Sequence, residues 1–230
     1  MDIAVLLYDR CTALDVVGPY EVLSRLPGAT VTFVATKPGP VRTDTGFLAL
    51  TADRDLSELP QPDVVVVPGG PGQVTVMDDP ALLSWLRTAH ETTMFTTSVC
   101  AGSLILAAAG LLDARRATSH WLTFDILAAL GAKPTSARVV VDGKLVTAAG
   151  VSAGIDMALA LAARIAGDTV AQAIQLLIEY APKPPFDAGS PDSAPAPIVD
   201  GLRGHGWRVV EPEQFAAALD QLVGTHGADL

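Results

Sequence analysis

The sequence predicts an α/β fold in which a mostly parallel β-sheet is covered by helices on both faces. Residues 2–8 and 63–67 are near-continuous apolar runs, as expected of strands buried on both sides. Strand-like and helix-like stretches alternate over residues 1–112, a pattern that implies βαβ units. Residues 94–99 are β-prone and lead through the small residues Cys100-Ala101-Gly102-Ser103 into the apolar run 104–112.

In chain order, residues 2–8 form the first strand and residues 16–23 the first helix, with Asp15 where one gives way to the other. Asp at such a place commonly caps a helix. Residues 30–36 (Thr-Val-Thr-Phe-Val-Ala-Thr) read as a second strand that Pro38-Gly39-Pro40 ends, and a short hairpin is expected around Asp44-Thr45-Gly46. Residues 63–67 stop at Pro68-Gly69-Gly70-Pro71-Gly72. A glycine-rich stop at the carboxyl end of a parallel strand lets backbone approach a ligand, and open α/β sheets bind ligands at that edge. The segment matches neither a Walker nor a dinucleotide fingerprint, so it reads as an oxyanion wall.

Helices are expected at 80–90, 102–112 and 122–130, the last ended by Gly131. Residues 138–147 read as a β-hairpin turning at Asp142-Gly143, and helices follow at 152–166 and 168–180. Residues 182–197 are rich in Pro, Ser, Asp and Gly, which suits an extended surface segment. Phe215, Leu219, Leu222 and Val223 are spaced as on one amphipathic helix. The expected organisation is a catalytic domain over 1–190 with a C-terminal extension, 191–230, packed on its surface as part of the same unit.

The strand-to-helix junction at Cys100 has the layout of a nucleophile elbow, which holds a Ser or Cys clear of the sheet and turns the next N–H groups toward its target. A helix N-terminus favours the thiolate, the reactive form. Ser98 stands where such motifs most often have Gly. The alternative is that Cys100 is a small buried apolar residue, the common fate of free cysteines.

Composition narrows the function classes. Fifteen basic against twenty-five acidic residues leave a net charge of −10, which disfavours nucleic acid or an anionic membrane as partner. Half of the 230 residues are hydrophobic and the mean hydropathy is +0.38, yet no apolar run reaches membrane-spanning length. The first residues lack the basic flank and cleavage site of a signal peptide, so the expected location is the cytoplasm. Two cysteines, Cys11 and Cys100, build no disulfide framework, and no Cys/His cluster has zinc spacing. No metal or cofactor is expected.

Five stretches taken together resemble the ThiJ/PfpI superfamily, which is related to class I glutamine amidotransferase domains: residues 15–21, 68–70, 98–102, 117–121 (Ala-Thr-Ser-His-Trp) and 150–156. That resemblance implies a flavodoxin-like three-layer sandwich and a homodimer. Within the superfamily the isonitrile hydratase type is the most similar, over roughly residues 2–190, because it carries Asp where other members carry Glu. It implies hydration of isonitriles to N-substituted formamides without a cofactor, with Cys100 as nucleophile and Asp15 as its acid. Gly70 and Ala101 would supply backbone N–H donors. Tyr20, Gly69, Trp121 and Gly150 would line the substrate pocket, core packing being the alternative for Tyr20 and Trp121. His120 would be a general base, an orienting group or a helix cap. Ala101 departs from the Thr expected after the nucleophile, which bears on substrate preference. The rival readings are a non-enzymatic small-molecule-binding domain, like the sensor half of some transcription regulators, and another cysteine hydrolase or glyoxalase of the superfamily.

Overall fold

The computed structural model describes residues 1–206 and 212–226. Its first compact unit, Met1–Tyr180, is built on a seven-stranded sheet. The strands are β1 (Asp2–Leu6), β2 (Thr30–Ala35), β5 (Arg54–Asp55), β6 (Val64–Val67), β7 (Phe95–Ser98), β10 (Val139–Asp142) and β11 (Leu145–Ala148), in the order β10-β11-β7-β6-β1-β2-β5. All neighbours are parallel except β10 and β11. The apolar runs account for the middle of the sheet: all four valines of β6 and residues Ile3 to Leu6 of β1 are fully buried, as strands covered on both faces must be.

Helices α1 (Ala13–Leu23), α6 (Ala153–Ala166) and α7 (Asp168–Leu177) pack in sequence on one another. A second group is centred on α4 (Gly102–Ala108), which packs against α2 (Gln73–Val76), α3 (Pro80–Thr92) and α5 (Phe124–Ala129). The two groups surround the sheet, giving the expected α/β architecture with a mostly parallel centre. Two small accessory pairs complete the unit: the antiparallel β3 (Gly39–Arg42) and β4 (Ala49–Ala52), and the parallel β8 (Arg116–Ala117) and β9 (Lys133–Pro134).

Three local readings are refined. The β10–β11 hairpin turns at Gly143 and Lys144, one residue later than expected, because Asp142 still pairs with Leu145 and Gly143 takes the left-handed φ of 64°. Helix α4 stops at Ala108 and Gly110 follows with φ 78°, so the apolar run to Leu112 is not helical throughout, although Leu104 to Ala107 and Leu112 are buried. The stretch after His120 begins as a 3₁₀ turn (Trp121–Thr123) before α5.

The second compact unit, Ala181–Leu230, contains α8 (Ala196–Gly204) and α9 (Pro212–His226), packed on each other. A Cβ at Gly201 would lie 2.8 Å from the Leu222 side chain, so α8 approaches α9 closely at that point. The helical spacing of Phe215, Leu219, Leu222 and Val223 is realised in α9. There Ala218 is buried, while Phe215, Leu219 and Val223 are exposed. Among the described residues, no helix is long and apolar enough to cross a membrane.

Candidate active site

Four segments at the carboxyl ends of neighbouring strands meet at one place: 8–15 after β1, 68–70 after β6, 98–101 after β7 and 148–151 after β11. Register explains the meeting. Ser98 pairs with Val67 on one side and Thr147 on the other, so β7 ends level with both neighbours. Beyond it, the Val99 N–H donates to Val67 O at 3.0 Å, and the Cys100 N–H to the carbonyls of Ala148 and Ala149 at 3.2 and 2.9 Å. Held this way, Cys100 has φ 57°, a conformation that costs a non-glycine residue of order 1 kcal/mol and persists where the surroundings enforce it. A strained residue between a strand and a helix is the elbow expected from the sequence.

The Asp15 carboxyl group is fully buried beside the thiol. It does not cap α1. Thr12 is the N-cap, and Asp15 lies in the first turn with its Oδ2 accepting the Gly69 N–H at 2.8 Å. Its Oδ1 is buried without a hydrogen-bond partner of ordinary geometry, while the carboxyl interacts with the Cys100 thiol. Gly69 makes this approach possible, since a Cβ there would stand 2.5 Å from Ala101 N, 3.0 Å from Asp15 Oδ2 and 3.0 Å from Cys100 Cβ. Gly102 is needed for the same reason, its Cβ position being 2.2 Å from Val67 O.

Electrostatics bind the two groups together. Burial raises Asp15 from 3.8 to about 7, against the lowering effects of the Gly69 N–H and the thiol, and Asp44 adds to the rise. Burial also pushes the Cys100 thiol well above its ordinary value, and the charge of Asp15 adds to the rise. The backbone N–H groups of Val151 and Ala101 act in the opposite direction. The expected accessible, acidified thiol is therefore corrected: Cys100 is only 4% exposed, and desolvation with a neighbouring carboxylate outweighs the short helix behind it. Two such groups resist becoming a dianion, so as the pH rises through about 7 the pair passes from two protons to one and goes no further.

A stability consequence follows from the carboxyl. A folded-state value raised above the unfolded one means that stability present below about pH 4 is lost as the pH climbs through about 7. The gap between 3.8 and about 7 corresponds to roughly 4 kcal/mol at most. Asp15→Asn, which cannot ionise, is accordingly expected to melt at a higher temperature than the parent at pH 8 and near it at pH 4. Calorimetry at the two pH values checks this, and a variant less stable at pH 8 would contradict it.

The other sequence candidates divide. The Ala101 N–H has no backbone partner and adjoins Gly69 and the sulfur. Gly70 has φ 133°, sits against Arg10 O and Thr12 N, and its N–H is likewise uncommitted among the described residues. His120 is the N-cap of the 3₁₀ turn, its Nδ1 accepting the Leu122 N–H at 3.3 Å, and burial lowers its pKa to about 4. It is a neutral cap whose ring lies over Gly150, where a Cβ would be 3.1 Å from ring Cδ2. Trp121 packs beside that ring, centroids 6.0 Å apart. Tyr20 packs on Phe33 of β2 at 5.4 Å, which is the core-packing alternative.

Two further residues belong to the site, neither of them assigned a role from the sequence. Tyr8 is buried and donates its hydroxyl to Pro68 O at 2.8 Å, and Ser119 is buried and donates to Cys100 O at 3.1 Å. No group of three or more His, Cys, Asp or Glu suited to a metal occurs among the described residues.

Residues 1–164 match the family model for the DJ-1/PfpI family. The chain belongs to that family. It is 46% identical over 203 residues to an isonitrile hydratase of Pseudomonas putida, spanning 88% of this chain and 89% of the relative. The crystal structure of a ThiJ/PfpI family protein from Pseudomonas syringae superposes with a TM-score of 0.86 at 39% identity, over 97% of this chain and 90% of that one. An HTH-type transcriptional regulator, CdhR of Pseudomonas aeruginosa, is 34% identical over 135 residues, 58% of this chain and 40% of the regulator. The family thus includes an enzyme matched almost end to end and a regulator matched over less than half of its length.

Proposed function

We infer that this protein hydrates isonitriles to N-substituted formamides, with Cys100 as nucleophile and Asp15 as its proton partner. The observation that carries the reading is the buried carboxyl–thiol pair, on a chain that is 46% identical to an isonitrile hydratase over an alignment spanning most of both lengths. An isonitrile, R–N≡C, accepts a nucleophile at its terminal carbon only if that carbon also gains a proton. A pair that shares one proton supplies both needs. The sulfur attacks the carbon while the proton held with Asp15 passes to it, giving the thioimidate R–N=CH–S–Cys100. Asp15, now a carboxylate, takes a proton from water as the water oxygen adds to that carbon. Asp15 passes that proton to the nitrogen, the C–S bond breaks as the C=O forms, and the hydroxyl's own proton returns to the pair as R–NH–CHO leaves. The free N–H groups of Ala101 and Gly70 suit the oxygen that develops negative charge in the second half.

Because the monoanionic pair is the working form, turnover rises with pH through about 7, the value to which burial brings Asp15. The reading also takes the protein to be cytoplasmic, in keeping with two free cysteines, and a homodimer, as C₂ pairs are the commonest oligomers. A dimer's mass in light scattering tests the latter. For the reaction itself, the purified protein is incubated with cyclohexyl isocyanide and the formamide followed by mass spectrometry. Stoichiometric excess of formamide over protein is the expected result. Binding of the isonitrile without product would favour a sensor domain, and turnover of a dicarbonyl substrate alone would favour a glyoxalase.

A further inference from the structure

Three backbone N–H groups act on the Asp15–Cys100 pair, those of Gly69, Ala101 and Val151, and the first two belong to peptides whose carbonyls are grasped by buried hydroxyls. The Pro68–Gly69 peptide receives the Tyr8 hydroxyl on its carbonyl at 2.8 Å and gives its N–H to Asp15 Oδ2 at 2.8 Å. The Cys100–Ala101 peptide receives the Ser119 hydroxyl on its carbonyl at 3.1 Å, with Ser103 Oγ at 3.4 Å. Its N–H lies against Gly69 and toward the sulfur, without a backbone partner. In a planar trans peptide the C=O and N–H point in opposite directions, so fixing one aims the other. A donor on the carbonyl also polarises the unit and strengthens what the N–H gives.

We propose that Tyr8 and Ser119 are positioning residues of the active site, each aiming and polarising through a single peptide the N–H that faces the reacting pair. Ser119 is itself fixed. With its own hydrogen on Cys100 O, its Oγ accepts the hydrogen of Thr123 Oγ1 at 2.7 Å, and that same hydroxyl is shared with His120 O at 2.8 Å, so the histidine segment reaches the elbow through hydroxyls and not through its ring. The Cys100–Ala101 peptide needs such a hold because Cys100 has a left-handed φ, from which the peptide is free to rotate if its carbonyl loses its donors. Tyr8 does the corresponding service for the acid. The titratable groups around the sulfur are Asp15 on α1, Asp44 in the β3–β4 turn and Tyr8 after β1: the two carboxylates raise the thiol, and the thiol's charge in turn raises Tyr8.

The proposal deepens the isonitrile reading, but its test does not depend on that substrate. The rate of Cys100 carboxymethylation by limiting iodoacetamide is measured against pH by peptide mapping for the parent, Tyr8→Phe, Ser119→Ala and Ser119→Thr, each checked for folding by circular dichroism. Loss of the carbonyl donor weakens the N–H that stabilises negative charge at the pair. Tyr8→Phe and Ser119→Ala should therefore raise the alkylation midpoint by roughly half a unit to one unit. Ser119→Thr, which keeps the hydroxyl, should restore it. With isonitrile, Ser119→Ala should lower kcat by about 10-fold while KM moves less than about 2-fold, because the N–H acts on charge that develops during reaction. An unmoved midpoint in a folded variant overturns the proposal for that residue, as does a midpoint that shifts equally in Ser119→Thr and Ser119→Ala. If the parent turns over no isonitrile while the midpoints shift as expected, the functional reading fails and the positioning role stands.

Discussion

Cys100→Ala is expected to leave no turnover of isonitrile above background, a loss on the order of 10⁴-fold or more, since removal of a covalent nucleophile eliminates the intermediate and not one interaction among several. The site offers no substitute. Cys11, the other cysteine, is fully buried, and burial raises its thiol to about 11. His120 is capped and neutral, and the hydroxyls of Tyr8 and Ser119 are committed to backbone carbonyls. Replacing the thiol by hydrogen takes away one of two mutually repelling acidic groups in a buried site, so the variant should fold. Formamide production near the parent rate by a folded Cys100→Ala protein would mean that water attacks the isonitrile directly and that the thioimidate is not formed.

Asp15→Asn should lower turnover by about 10² to 10⁴, the usual worth of a positioned acid or base, and do so while raising stability above neutral pH. The amide oxygen still accepts the Gly69 N–H, so the shape survives, and what disappears is the proton shared with sulfur. His120→Ala is expected to cost much less. Its Nδ1 serves the Leu122 N–H, and its effect on the elbow runs through the Thr123 and Ser119 hydroxyls, whose bond to the His120 carbonyl needs no imidazole. Turnover of the two variants on one isonitrile, compared with circular dichroism in hand, separates these roles. A nearly normal Asp15→Asn beside a dead His120→Ala would turn the site into a Cys–His centre of another reaction class. The pH profile offers a further check, since Asp15→Asn should abolish the rise through about 7 that the parent shows.

The parts of this site legible in the sequence are those encoded by runs and small residues. Four consecutive valines can only be a buried strand here, and the stop at Pro68-Gly69-Gly70 marks its carboxyl edge. The small residues around Cys100 mark a turn that no bulky chain could make, as the 2.2 Å clearance at Gly102 illustrates. Asp15 sits where the sequence suggests a helix cap, and only its reach to Gly69, 54 residues away, shows that its carboxyl is turned elsewhere. The roles of Tyr8 and Ser119 were illegible because a hydroxyl has no preferred spacing from its partner: Tyr8 reads as the last apolar residue of a strand, and Ser119 as one member of the stretch 117–121 with no partner named. The contact of Tyr20 with Phe33 is hidden for a related reason, since Phe33 comes from a strand whose alignment with α1 is a property of the whole sheet. The depth of Cys100 likewise depends on residues 148–151, brought in by the last strand to join.

The sheet order sets a timetable for the site. Strand β7 is flanked by β6 and by β11, and β11 follows it in the chain only after α4, α5 and the β10 turn. Closing such long loops is slow, and parallel pairings reward it late. Cys100 cannot take up its left-handed turn until the carbonyls of Ala148 and Ala149 are in place to receive its N–H. During synthesis or refolding, the chain should therefore acquire most of its helix content while its thiol still behaves as an ordinary, exposed one. Protection of that thiol would be the last event to register, which makes it a clock hand for completion of the fold.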